Sequence, residues 1–266
     1  MYKIGLSTCG KEINEDLFRK YAQSGISAME ISVPDTVYQF LDYKNMKIWS
    51  ERYGVDLWSY HLPYSPFDKI DISALSKEQR KRSIEYFSEL MKKASDIGID
   101  KYIVHPSGEP IPESDRAERL KCSKESIYEL SKIAVSCGGK IMVEDLPRTC
   151  LGNCSDEVLE LSDFSEGVGV CFDTNHLLFE NPADFVKKLG KRICTVHVSD
   201  YDFVDEKHWL PGEGKIDWKE LIQSIKDINY SGVWLYEIGF KCPNTITRDR
   251  DLACEDFVNN AKKLFE

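Results

Sequence analysis

All five histidines of the chain stand at or just past the end of a strand-like run. His61 ends DLWSYH, His105 ends KYIVH, His176 closes GVCFDTNH, His197 ends ICTVH, and His208 follows in the next loop. Three acidic residues share that address: Glu144 in KIMVED, Asp173 in VCFDTNH and Glu237 in VWLYEIG. Imidazole and carboxylate together are the ligand set of a divalent cation, and a mixed N/O set accepts Mn, Mg, Co or Zn. The same two groups also move protons in catalysis. Brought to one place, these residues predict a polar pocket that binds metal.

Strand ends converge only if the strands run parallel, and the pattern of elements supports this. Eight short runs rich in β-branched and aromatic residues read as buried strands: 2–8, 28–32, 56–61, 101–107, 140–146, 167–174, 193–200 and 232–239. Helical spacing fills the gaps. Ser76–Ser95 carries Ile84, Phe87, Leu90, Met91 and Ala94 on one face, and 122–135, 156–161, 182–189, 218–228 and 253–265 continue the alternation. Asp217 before Trp218 reads as an N-cap. Eight alternations predict an α/β fold, a (β/α)8 TIM barrel, as a single domain over residues 1–266. The competing open sheet would carry a Gly-rich phosphate turn after its first strand, and STCGKEIN is not one. The first two helical zones are short, so irregular loops are expected after the second and third strands.

Strand parity then sorts the side chains. If Glu144 faces the barrel interior, so do Met142 and Lys140. Asp173 takes Cys171 and Gly169 inward, His197 takes Thr195, and Glu237 takes Leu235. The opposite sets (Val170 and Phe172, Val196 and Cys194, Tyr236 and Trp234) are apolar, as helix-facing positions should be. The same parity on four consecutive strands puts Glu144, Asp173, His197 and Glu237 at one mouth. Three carboxylates there repel unless a cation compensates them, and a divalent metal serves better than salt bridges to an interior lysine such as Lys140. Asp173-x-x-His176 raises a second imidazole above that plane, suited to a substrate hydroxyl or a second metal. His61 and His105 flank Glu144 and could line the pocket wall or form another metal site. Glu30, on the second strand, reads as a buried structural hydrogen bond. The turn-rich segment 208–218 contains Gly212 and Gly214, which allow close backbone approach to a ligand; it also reads as a rigid loop packing Trp209 and Trp218, and the two readings are compatible. Arg116, Arg119, Arg148, Lys241, Arg248 and Arg250 are loop cations. Each is expected on a solvated surface, and any one of them could bind a phosphate or carboxylate.

Composition limits the function classes. The 266 residues are 42% hydrophobic and 30% charged, which suits a globular protein with a sizeable core. No apolar run approaches the roughly 18 residues of a membrane helix. The start MYKIGLSTCGK lacks a signal-peptide core, so a cytoplasmic location and no membrane partner are expected. Nine cysteines, an odd count, predict reduced thiols, and Cys150 and Cys154 have metal-ligand spacing without a second pair. The net charge of -10 argues against a nucleic-acid partner, which requires a positive surface.

The motifs VHPSGEP, VEDLP, CFDTNH, VHVSDYD, LPGEGKIDW and YEIG together resemble the xylose isomerase-like barrel superfamily, and within it the sugar-phosphate isomerase/epimerase group. The resemblance spans the chain from first strand to last. It implies one divalent metal ion (Mn, Mg, Co or Zn) on Glu144, Asp173, His197 and Glu237, and no organic cofactor. It implies a small-molecule sugar or sugar phosphate as partner, with Glu144 and Glu237 transferring protons through an enediolate. His61, His105, His176 and His208 would contact substrate. Similar enzymes also include dehydratases or lyases of inosose-like polyols and the endonuclease four-type zinc phosphodiesterases, and a non-catalytic carbohydrate-binding barrel is a further alternative. The phosphodiesterases carry an Asp-x-His pair after the seventh strand. Here the region reads DYDFVDEKHW, which leaves a third metal without that pair. Whether the chain forms a homo-oligomer is not legible.

Overall fold

The structure, a computed structural model, describes residues 2–266. The apolar runs form eight strands: β1 Ile4–Ser7, β2 Ala28–Ile31, β3 Asp56–His61, β4 Lys101–Val104, β5 Lys140–Glu144, β6 Val168–Asp173, β7 Ile193–Val198 and β8 Trp234–Tyr236. Every neighbouring pair is parallel, and β8 returns to β1 to close the barrel. Each strand is followed by a helix: α1 Glu15–Ser24, α2 Tyr43–Tyr53, α3 Lys77–Asp96, α4 Arg116–Ser136, α5 Ser155–Ser162, α6 Pro182–Leu189, α7 Trp218–Asp227 and α8 Cys254–Phe265. This is the single-domain (β/α)8 barrel that the alternation predicts. Asp217 caps α7 as expected, accepting from the Glu220 N–H at 3.0 Å. The loop after β2 carries a 3-10 stretch, Asp35–Phe40, and residues 62–76 after β3 form no helix or strand. Among the described residues no helix is long and apolar enough to cross a membrane.

The alternation of side chains divides the interior in two. Tyr60, Tyr102, Ile141, Val143, Val170, Phe172, Val196, Val198, Trp234 and Tyr236 point outward into one continuous core shared with the helices. Small apolar clusters plug the lumen below the mouth: Ala28, Val233 and Leu235 under Trp58, and Ile103, Met142 and Cys171 with Cys194. Cys194 corrects the sequence reading, which put it on the helix side. Val170 pairs with Ile193 but Cys171 pairs with Thr195, so Cys194 is an extra residue in β7 and turns inward. Trp58 is the matching extra residue in β3, between Leu57 opposite Met29 and Ser59 opposite Glu30. The two bulged strands meet across the lumen, where the Trp58 indole N–H donates to Thr195 Oγ1 at 3.0 Å. Lys140 is exposed at the far end and pairs with none of the mouth carboxylates. The remaining parity holds, and register sets Asp173 beside His197 and Glu144 beside Cys171.

Candidate metal centre and substrate pocket

His197 is the hub of the mouth. Its Nε2–H donates to Glu30 Oε2 at 2.9 Å, and Glu30 Oε2 also accepts from the Ser59 hydroxyl at 2.8 Å. A carboxylate on one ring nitrogen fixes the ring and turns the other nitrogen to the pocket. That nitrogen, Nδ1, lies 2.8 Å from Glu144 Oε1, 3.3 Å from Glu237 Oε2 and 3.9 Å from Asp173 Oδ2. The four candidate ligand atoms of Glu144, Asp173, His197 and Glu237 all lie within 4.8 Å of one another. Asp173 Oδ2 is fully buried and has no hydrogen-bond donor, while Oδ1 accepts from the Asn175 N–H at 2.7 Å. An unpartnered buried carboxylate oxygen aimed at two further carboxylates is costly without a cation, so this donor set fits a divalent ion. Glu30 plays the buried structural role expected of it, and that role is to orient His197.

The other histidines follow the same design. His61 Nδ1–H donates to the Leu62 carbonyl at 2.8 Å, His176 Nδ1–H to the Asp145 carbonyl at 2.7 Å, and His208 Nδ1–H to the Glu237 carbonyl at 3.1 Å. Each tie leaves Nε2 facing the pocket. His61 and His105 both bring Nε2 to 3.1 Å from Glu144 Oε2, and the His105 ring stacks on Tyr64. His176 Nε2 reaches Glu206 Oε1 at 3.1 Å, with His208 Nε2 at 3.8 Å from the same oxygen. Glu206 is the residue that the sequence reading missed. The segment lacks an Asp-x-His pair, but Glu206 stands two residues before His208 and reaches both His176 and His208. The Glu-x-His spacing was the available signal. His61, His105 and Glu144 form one compact group of potential ligands, and His176, Glu206 and His208 another. Cys150 and Cys154 join no such group among the described residues.

Burial and these pairs set the charges. Burial pushes the Glu144 carboxyl upward, but His197, His105 and His61 outweigh it and hold the group well below its ordinary range. Glu237 and Glu206 behave alike: burial raises each, and neighbouring imidazoles (His197 for Glu237, His176 and His208 for Glu206) bring it down. Asp173 goes the other way, up to about 6, because burial and the nearby Glu237 and Glu144 exceed the pull of His176 and His208. Burial alone would lower His61, yet Glu144 raises it to about 9. His105 is lowered, chiefly by burial.

The cavity above this cluster measures about 290 Å³ and is lined by His61, His105, Glu144, His176, Glu206, His208 and Glu237, with Tyr64, Phe67 and Arg148 among its walls. Asp173 and His197 lie beneath that floor. All eight residues singled out from the sequence therefore meet at one end of the barrel. A larger cavity of about 860 Å³ at the opposite end is lined by Tyr2, Trp58, Tyr230 and Phe265 and contains no histidine or carboxylate. The Gly212–Gly214 turn is not part of the lining of this cavity. Its backbone closes on Asp200, whose carboxylate accepts from the N–H groups of Tyr201, Gly212 and Ile216 and from the Trp218 indole. The expected rigid loop packing Trp209 and Trp218 is present.

The sequence pattern of the xylose isomerase-like TIM barrel family matches residues 18–252. The chain belongs to this family. Within this xylose isomerase-like group, an uncharacterized protein of Methanocaldococcus jannaschii is 31% identical over 226 residues, covering 80% of this chain and 75% of that protein. A D-psicose 3-epimerase of Enterocloster bolteae is 27% identical over 189 residues, covering 65% of this chain and 60% of the epimerase. Among solved structures, a D-tagatose 3-epimerase-like protein superposes with a TM-score of 0.83 at 26% identity, covering 99% of this chain and 96% of that one.

Proposed function

We propose that this barrel is a metal-dependent epimerase or isomerase of a small keto sugar or related polyol. The observation that carries the reading is the quartet of Glu144, Asp173, His197 and Glu237, with Asp173 Oδ2 unpartnered and Glu30 orienting the imidazole. The likeness to a D-psicose 3-epimerase and a D-tagatose 3-epimerase-like protein supports the substrate class. A divalent ion held by the quartet would supply positive charge for the oxyanion that develops at a ketone as the neighbouring proton leaves. Glu144 and Glu237 come from different strands, both ionised at neutral pH and both at the pocket floor. One removes the proton beside the carbonyl and the other returns one, the division of labour that a change of configuration requires. The fixed rings of His176 and His61, and that of His105 stacked on Tyr64, present Nε2 to substrate hydroxyls, and His208 completes the wall.

The test is turnover of a panel of keto sugars by metal-loaded protein in deuterated water. Epimerisation by proton transfer puts solvent deuterium on the inverted carbon. Glu144→Gln and Glu237→Gln should each cost on the order of 10²–10⁴ in rate. Full turnover in both variants, or inversion without deuterium uptake, would sink the assignment. A second reading, a multi-metal phosphodiesterase, is favoured by the two additional groups, His61–His105–Glu144 and His176–Glu206–His208. Metal analysis after dialysis separates the two. One ion per chain supports the sugar enzyme, and three with cleavage of a model phosphodiester support the alternative.

A further inference from the structure

The reading above leaves the charge of the substrate open, and the inference here rests on that reading. We infer that the pocket selects an uncharged polyol and discriminates against its phosphate ester, because the arginine and the backbone amides of the rim that could receive an anion are already engaged by acceptors of the protein. Arg148 is the only lysine or arginine lining the cavity. Its Nε and Nη2 donate to the two oxygens of Glu109 at 2.7 and 2.8 Å, and its Nη1 donates to Asp205 at 2.7 Å and also contacts Glu206. Each nitrogen of the guanidinium is thus engaged by a carboxylate of the protein. The Arg148 backbone is in the left-handed region, φ 53°, and its carbonyl accepts from Asn153 Nδ2 at 2.8 Å.

The other sequence candidates for a phosphate are committed too. Arg116 pairs with Glu157, Arg119 with Asp71, Arg248 with Glu213 and Arg250 with Asp256, while Lys241 is exposed and lines no part of the cavity. Backbone amides could cradle a phosphate instead. In the loop after β7 the N–H groups of Tyr201, Gly212 and Ile216 hold the Asp200 carboxylate, those of Val204 and Asp205 hold Asp202 Oδ1, and those of Lys207 and His208 hold Asn175 Oδ1. The metal quartet adds no surplus either, since three carboxylates exceed the charge of a divalent ion. A phosphate would have to displace one of these carboxylates or lie beside them, and like charges at close range weaken binding.

The experiment is calorimetric titration of metal-loaded protein with a free ketohexose, with the same sugar as its terminal phosphate, and with inorganic phosphate alone, alongside turnover of both sugars. The phosphate ester should bind roughly tenfold or more weakly than the free sugar, as uncompensated like charge dictates, and inorganic phosphate should not compete with the sugar. Glu109→Gln and Asp205→Asn release Arg148, so they should narrow the gap severalfold. Arg148→Gln should not weaken the ester further. The inference is overturned if the ester binds or turns over better than the free sugar, or if Arg148→Gln removes binding of the ester alone; the epimerase reading survives either result. Binding of neither sugar overturns both.

Discussion

Glu30 offers a direct test of how the metal centre is built, because it touches His197 and not the pocket. Its carboxylate accepts the His197 Nε2–H at 2.9 Å in a site with no solvent exposure. In Glu30→Gln the amide oxygen can still accept that proton, so the geometry survives and only the charge is lost. A hydrogen bond to a charged group contributes about 1.5–3 kcal/mol net and a neutral one about 0.5–1.5, so the change should cost about 1–1.5 kcal/mol. At 1.36 kcal/mol per decade this is about 5- to 12-fold in metal affinity. Glu30→Ala leaves the buried N–H without an acceptor and frees the ring, and loss of such an orienting partner weakens metal binding about 10–100-fold. Competition with a chelating dye reads both affinities, and thermal unfolding of the metal-free proteins checks that the barrel is intact. Ser59→Ala, which removes only the hydroxyl donor to Glu30, should fall between wild type and Glu30→Gln. Unchanged affinity in both Glu30 variants, with the fold intact, refutes the claim that Glu30 sets the ring for ligation.

Two further outcomes follow from other contacts. His61 is raised from 6.5 to about 9 by Glu144, against the opposing effect of burial. A raised imidazole contributes stability that is fully present below pH 6.5 and is lost as pH rises through about 9. Urea midpoints of metal-free wild type and His61→Gln should therefore converge between pH 7 and 10, from a gap of at most about 3 kcal/mol, and a gap constant with pH contradicts the His61–Glu144 pairing. Gly214→Ala would set a methyl 2.2 Å from Asp200 Oδ1 and 2.3 Å from the Tyr201 carbonyl. Chemical denaturation should report a loss of about 1–3 kcal/mol, typical of overpacking; an unaffected midpoint means that the turn does not close on Asp200 as described.

The parts of the molecule legible in the sequence are those governed by periodicity. Apolar runs mark the strands, and parity places Glu144, Asp173, His197 and Glu237 at one mouth because strand side chains alternate without regard to distant partners. Parity fails at Cys194, since a bulge is a property of two paired strands and only β6 reveals it. The start of α4 at Arg116 lies six residues before the apolar pattern begins at Cys122, because its first turns are polar. Glu206 was missed for a different reason: the loop was searched for Asp-x-His, and a glutamate with one more methylene reaches the same imidazoles. The glycines of LPGEG do signal close approach, but the sequence does not say to what, and the partner is Asp200, twelve residues before Gly212.

Asp200 has a consequence beyond stability. It clamps both ends of the segment that carries Glu206 and His208, through Tyr201 on one side and Gly212, Ile216 and Trp218 on the other, and the Asp200–Trp209 bridge closes the base. Residues 202–207 are therefore an excursion from a fixed pedestal, and they meet the pocket through Asp205 and Glu206. Mutations there can reshape what the pocket admits while the strand-borne quartet keeps its geometry. On the proposed reading, the residues that would do the chemistry and those that would set selectivity are thereby carried by separate parts of the chain.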